Sequence, residues 1–73
     1  MFRNVNIGVP QEDVETQQRI EKQLEEQNVY FTNEGSGKFT YNINAGFQDL
    51  KEADAFVEQW EKVVYIETET FDI

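Results

Sequence analysis

A chain of 73 residues with 15 Asp and Glu against 6 Lys and Arg carries a formal net charge of −9, and it has neither histidine nor cysteine. Those absences exclude cysteine nucleophiles, Cys/His zinc sites, disulfides and histidine acid–base catalysis. The charge opposes direct nucleic-acid binding, because phosphates require clustered Lys and Arg.

Residues 1–73 are read as one small acidic domain, near the lower size limit for independent folding. Six Phe, three Tyr and one Trp supply the material for a core. The opening residues lack the apolar run of a signal peptide, and no stretch approaches a membrane span. Cytoplasm is therefore the expected compartment, or host cytoplasm if a virus encodes the chain.

Residues 2–9 alternate, with Val5, Ile7 and Val9 on one face and Asn4, Asn6 and Gly8 on the other, which predicts a half-buried strand. Pro10 is expected to open a helix over 10–27, with Glu12 and Asp13 in its first turn. Its apolar stripe is thin: Val14, Ile20 and Leu24. Glu15 and Arg19 are spaced for an i,i+4 ion pair. Residues 28–33 predict a second strand, and Glu34 to Gly37 a hairpin loop. A third strand is expected over 38–44, with Phe39, Tyr41 and Ile43 facing the core and Lys38, Thr40, Asn42 and Asn44 facing away. Ala45-Gly46 is expected to end it.

Asp49 is the expected N-cap of a second helix over 49–62, with Glu52 in capping-box position. Leu50, Ala53, Val57, Trp60 and Val64 form its apolar stripe, with Phe56 and Val63 to the side. Glu58 and Lys62 are spaced to pair. Residues 63–71 predict a fourth strand with Val64 and Ile66 inward and Tyr65, Glu67 and Glu69 outward.

The order β-α-β-β-α-β predicts a small α+β domain of the ferredoxin-like split βαβ type. Two helices cover one face of a four-stranded antiparallel sheet. Right-handed crossovers place strands one and three centrally and strands two and four at the edges.

Candidate chemistry is sparse. Glu67, Glu69 and Asp72 are close in sequence, but an acid–base pair needs two carboxyls in different environments, and neighbours on an exposed edge do not supply that. Glu34-Gly35-Ser36-Gly37-Lys38 lacks phosphate-loop spacing and precedes a strand, not a helix. Gly37 to Ile43 is similar to the RNA-contacting strand of RNA-recognition motifs. Its aromatics, however, share the core phase, which leaves bases no platform. The acids on the first helix lack a calcium-loop pattern. No catalytic residue, cofactor or metal is expected.

Charge is distributed unevenly. Residues 11–27 carry −4, 47–62 carry −3 and 63–73 carry −3, while 28–46 are neutral. The exposed sheet face is expected to show Asn4, Asn6, Tyr30, Thr32, Thr40, Asn42 and Tyr65, a combination suited to a protein interface. Tyr65, Glu67, Glu69, Tyr30 and Asn42 are thus the candidate partner-binding residues. Glu12, Asp13, Glu25 and Glu26 form an alternative acidic face.

The leading functional expectation is a non-enzymatic protein-binding module that meets a basic or nucleic-acid-binding protein and no membrane. The alternatives are a DNA mimic that inhibits a nucleic-acid-binding protein, and a self-associating structural module such as a homodimer. A small, acidic, Cys- and His-free domain of this kind resembles bacteriophage accessory proteins, including inhibitors and DNA mimics. That likeness is one of type and assigns no residue a role.

Overall fold

The computed structural model describes residues 2–36 and 40–72. The elements are β1 (Phe2–Pro10), α1 (Val14–Glu26), β2 (Tyr30–Ser36), β3 (Thr40–Phe47), α2 (Leu50–Trp60) and β4 (Tyr65–Phe71). The strands form one sheet in the order β2-β3-β1-β4, and each neighbouring pair is antiparallel. The predicted element order, central strands and edges all hold.

Alternation sets the layers. Val5, Ile7 and Val9 on β1 lie opposite Ala45, Ile43 and Tyr41 on β3. Together with Phe47 they face Ile20 and Leu24 of α1 and Ala53, Phe56 and Trp60 of α2 in a single core. Both helices therefore pack on the same face of the sheet. Phe47 lies 5.5 Å from Phe56, and Phe56 6.4 Å from Trp60, between ring centroids.

Several boundaries differ from the sequence expectation. Pro10 ends β1, paired with Thr40, and does not open α1. Asp13 is the N-cap, not a first-turn residue: its carboxylate accepts from the Thr16 amide at 3.2 Å and from the Thr16 hydroxyl at 2.7 Å. Val14, placed at the helix start, is exposed. Asn28 does not begin β2. It takes a left-handed φ of 56° just past the helix end. The Asn28 amide donates to the Glu25 carbonyl at 3.1 Å, and the Val29 amide to the Leu24 carbonyl at 2.9 Å. That is a Schellman cap with asparagine in the usual glycine place, sealed by buried Val29 and Leu24.

Gly46 does not break β3. A Cβ there would come within 2.7 Å of the Phe2 ring, so the missing side chain makes room for that ring on the sheet surface. A bulge between Asn33 and Ser36 carries β2 beyond its expected end, with Gly35 at φ 82°. The expectations for Gly37, Lys38 and Phe39 lie outside the described residues, as does that for the Thr40 side chain.

Asp49 caps α2 as expected, accepting from the Lys51 amide at 2.9 Å and the Glu52 amide at 3.4 Å. The buried stripe is turned toward Phe56, which is buried rather than lateral, while Val57 is only partly buried. The helix stops at Trp60, so Val64 joins the core from the turn before β4, outside the helical stripe. Neither Glu15–Arg19 nor Glu58–Lys62 closes within 4.0 Å. Among the described residues the ion pair is Arg3 with Asp54, linking β1 to α2. Gln23 and Gln59 exchange side-chain hydrogen bonds between the helices at 2.9 and 3.1 Å.

Trp60 is 8% exposed and donates through Nε1 to Gln23 Oε1 at 3.2 Å. Trp60→Ala should cost about 3–5 kcal/mol, read from the urea midpoint, a loss comparable with the whole stability of a domain this small. Native tryptophan emission at a water-exposed wavelength would contradict this packing.

Candidate functional site: the open face of the sheet

The face of the sheet turned away from the helices is built by the other half of each alternation. Asn6 of β1 pairs with Asn44 of β3 on one side and Glu67 of β4 on the other. Gly8 pairs with Asn42 and Tyr65, and Asn4 with Gly46 and Glu69. Tyr30 and Thr32 of β2 complete two of these rows opposite Gly46 and Asn44. The five residues singled out from sequence, Tyr65, Glu67, Glu69, Tyr30 and Asn42, therefore share one face. Tyr30 stands on one edge strand and Tyr65 on the other, 77% and 66% exposed.

The alternative acidic set is not brought together. Glu12 lies in the turn before α1 and Asp13 is occupied as its cap, whereas Glu25 and Glu26 sit in the last turn. The 13 residues of α1 separate the two pairs by about 20 Å along the axis.

Asparagine forms the centre of the open face. Asn4 Nδ2 donates to Asn6 Oδ1 at 3.3 Å. A shallow trough of about 640 Å³ crosses this floor, with Glu34 at its β2 side and Tyr65 and Glu67 at its β4 side. Glu34 follows Tyr30 and Thr32 in the alternation of β2 and so reaches this surface, while Asn33 turns toward the helices and donates to Glu21 Oε1 at 3.4 Å.

Sequence reasoning missed the aromatic end of the face. Phe2 stacks on Phe71, its cross-strand partner, with centroids 5.6 Å apart and planes 26° from parallel. Phe2 also lies over Gly46, beside a recess that reaches Tyr30. The signal was present: Phe2 is in phase with Asn4 and Asn6.

The described cations lie off this surface. Arg19 and Lys22 belong to α1, Lys51 to α2, and Lys62 to the turn after it, while Arg3 reaches Asp54 on the helical side. No described cation lines the trough. Among the described residues, no three carboxylates gather as a metal site. No described helix is long and apolar enough to cross a membrane.

No family model matches the sequence, and neither a curated protein nor a solved structure matches it.

The Tyr65 hydroxyl donates to Glu67 Oε1. That bond, then the negative charge of Glu67, and lastly slight burial hold the phenol pKa above its ordinary value of 10.0. The stabilisation from this contact is complete below about pH 10 and is lost as pH rises through the raised folded-state value. Glu67→Gln should return the Tyr65 titration toward the ordinary tyrosine range, followed by phenolate absorbance, while Glu69→Gln leaves it in place. An unchanged titration in Glu67→Gln would mean that the bond is not formed in solution.

Proposed function

We propose that this domain is a non-enzymatic protein-binding module, acting through the open sheet face and the β4 edge. The observation that carries this reading is the one-sided layering: the buried core lies on the helical side, and the opposite face presents two exposed tyrosines on an asparagine floor, with the Phe2–Phe71 stack at one end. Tyrosine gives a partner contact area at low entropic cost, and amides adapt their hydrogen bonds. The strand order β2-β3-β1-β4 supports assigning the domain to the ferredoxin-like split βαβ class.

The setting this format suggests is that of a phage or prophage accessory protein that binds or inhibits a host protein in the cytoplasm. The DNA-mimic reading draws less support, because several carboxylates already serve the fold. Asp13 and Asp49 cap helices, Asp54 holds Arg3, and Glu21 accepts from Gln17 and Asn33. Such groups are poorly placed to act as a free row of phosphate substitutes.

Photo-cross-linking in the native host decides between the surfaces. A photoreactive residue at Tyr30 or Tyr65 should give a discrete heterologous adduct, reduced by joint Glu67→Lys and Glu69→Lys. Adducts from Glu12 or Glu25 alone would overturn the sheet-face reading. Steady substrate turnover by the pure protein, abolished by a carboxylate substitution, would overturn the non-enzymatic one.

A further inference from the structure

The trough constrains the chemistry of the partner as well as its place, provided that the open face is the partner surface. It has a polar floor and an acidic group on each side. Glu34 lies on edge strand β2 and Glu67 on edge strand β4, and both line it. β3 and β1 lie between, and Glu67 shares its row with Thr32, two residues before Glu34, so the two acidic residues stand on a diagonal about 16 Å apart.

The floor narrows the choice of occupant. Asn6 and Asn44 present side-chain amides, each with two donors and one acceptor. An extended backbone has unpaired N–H and C=O groups that such amides can meet. A helix has already satisfied its own. A second copy of this chain would bring its own −9 toward the same acidic surface, and no described cation of this chain faces the trough to receive it.

We propose that the trough receives an extended, basic segment of the partner, lying across the strands, with two cations engaging Glu34 and Glu67. An extended chain advances about 3.4 Å per residue, so cations four residues apart leave the same side of the chain about 14 Å apart, and their long side chains cover the remaining distance. Attraction between the acidic trough and the basic segment speeds encounter, and the two-ended contact fixes register.

The test uses the isotope-labelled full chain and two terminally blocked peptides of one composition: Gly-Lys-Thr-Val-Thr-Lys-Gly and Gly-Lys-Lys-Thr-Val-Thr-Gly. In amide-shift titrations at low salt, the spaced peptide should perturb Asn6, Asn44 and Glu67 and bind about tenfold more tightly than the adjacent-lysine peptide. Glu34→Lys and Glu67→Lys should each weaken it about tenfold, and the milder Glu34→Gln should weaken it as well; Glu25→Lys on α1 should have less than about a twofold effect. Equal affinity for the two peptides, shifts confined to the helices, or no shifts would overturn the proposal. If the peptides fail while cross-linking from Tyr30 and Tyr65 persists, the basic extended segment is wrong and the binding module stands. If both fail, the open face is not the partner surface.

Discussion

Val5 lies opposite Ala45, Ile7 opposite Ile43 and Val9 opposite Tyr41, and the rest of the molecule depends on that register. Strand side chains alternate with a period of two, so a slip of one residue would send β1's apolar set to solvent and its asparagines under the helices. Burying unpartnered amides costs free energy, and exposing valine and isoleucine forfeits hydrophobic gain. The register is thus fixed by opposing penalties on the two faces. It also makes the faces unlike: a dry core beneath the helices, and a wet surface of Asn, Thr, Tyr and Glu on the other side.

The helical layer is attached by a few specific contacts as well as by packing. Asp13 and Asp49 start the helices where side-chain oxygens can satisfy exposed amides. Asn28 and Val29 close α1 and turn the chain into β2. Arg3 joins β1 to Asp54 on α2 and donates to Thr70 of β4 at 3.1 Å. These contacts use acids and a cation on the helical side. They leave Glu34, Glu67 and Glu69 on the open face, away from the described Lys and Arg, so the acidity of that face is a product of the layering.

Much of this was legible where periodicity is strong. Val5-x-Ile7-x-Val9 specified β1 and its phase, and Asp49 marked the start of α2. Legibility failed where one residue type has two uses. Pro10 suits a strand end as well as a helix start. Gly46 reads as a breaker, yet it makes room for the Phe2 ring, a contact 44 positions away in the chain. Asn28 reads as strand, yet its tolerance of the left-handed region closes a helix. On the candidate site, strand phase placed Tyr30, Asn42, Tyr65, Glu67 and Glu69 on one surface. Glu34 keeps the phase of Tyr30 and Thr32, yet it was not foreseen, because its glycine-rich neighbourhood reads as a hairpin loop that ends the strand at Asn33, whereas β2 runs on to Ser36. The Phe2–Phe71 stack depends on pairing between the two ends of the chain, which local patterns do not report.

One-sided burial is the claim on which both fold and function rest, and paramagnetic relaxation by a soluble gadolinium chelate reads it directly. Side-chain amides of Asn6 and Asn44 and the rings of Tyr30 and Tyr65 should relax strongly. The methyls of Val5, Ile7 and Ile43 and the ring of Phe47 should be unaffected. Protection of the asparagine amides to the level of the core methyls would contradict one-sided burial, since it would mean that a second layer covers the face assigned here to a partner.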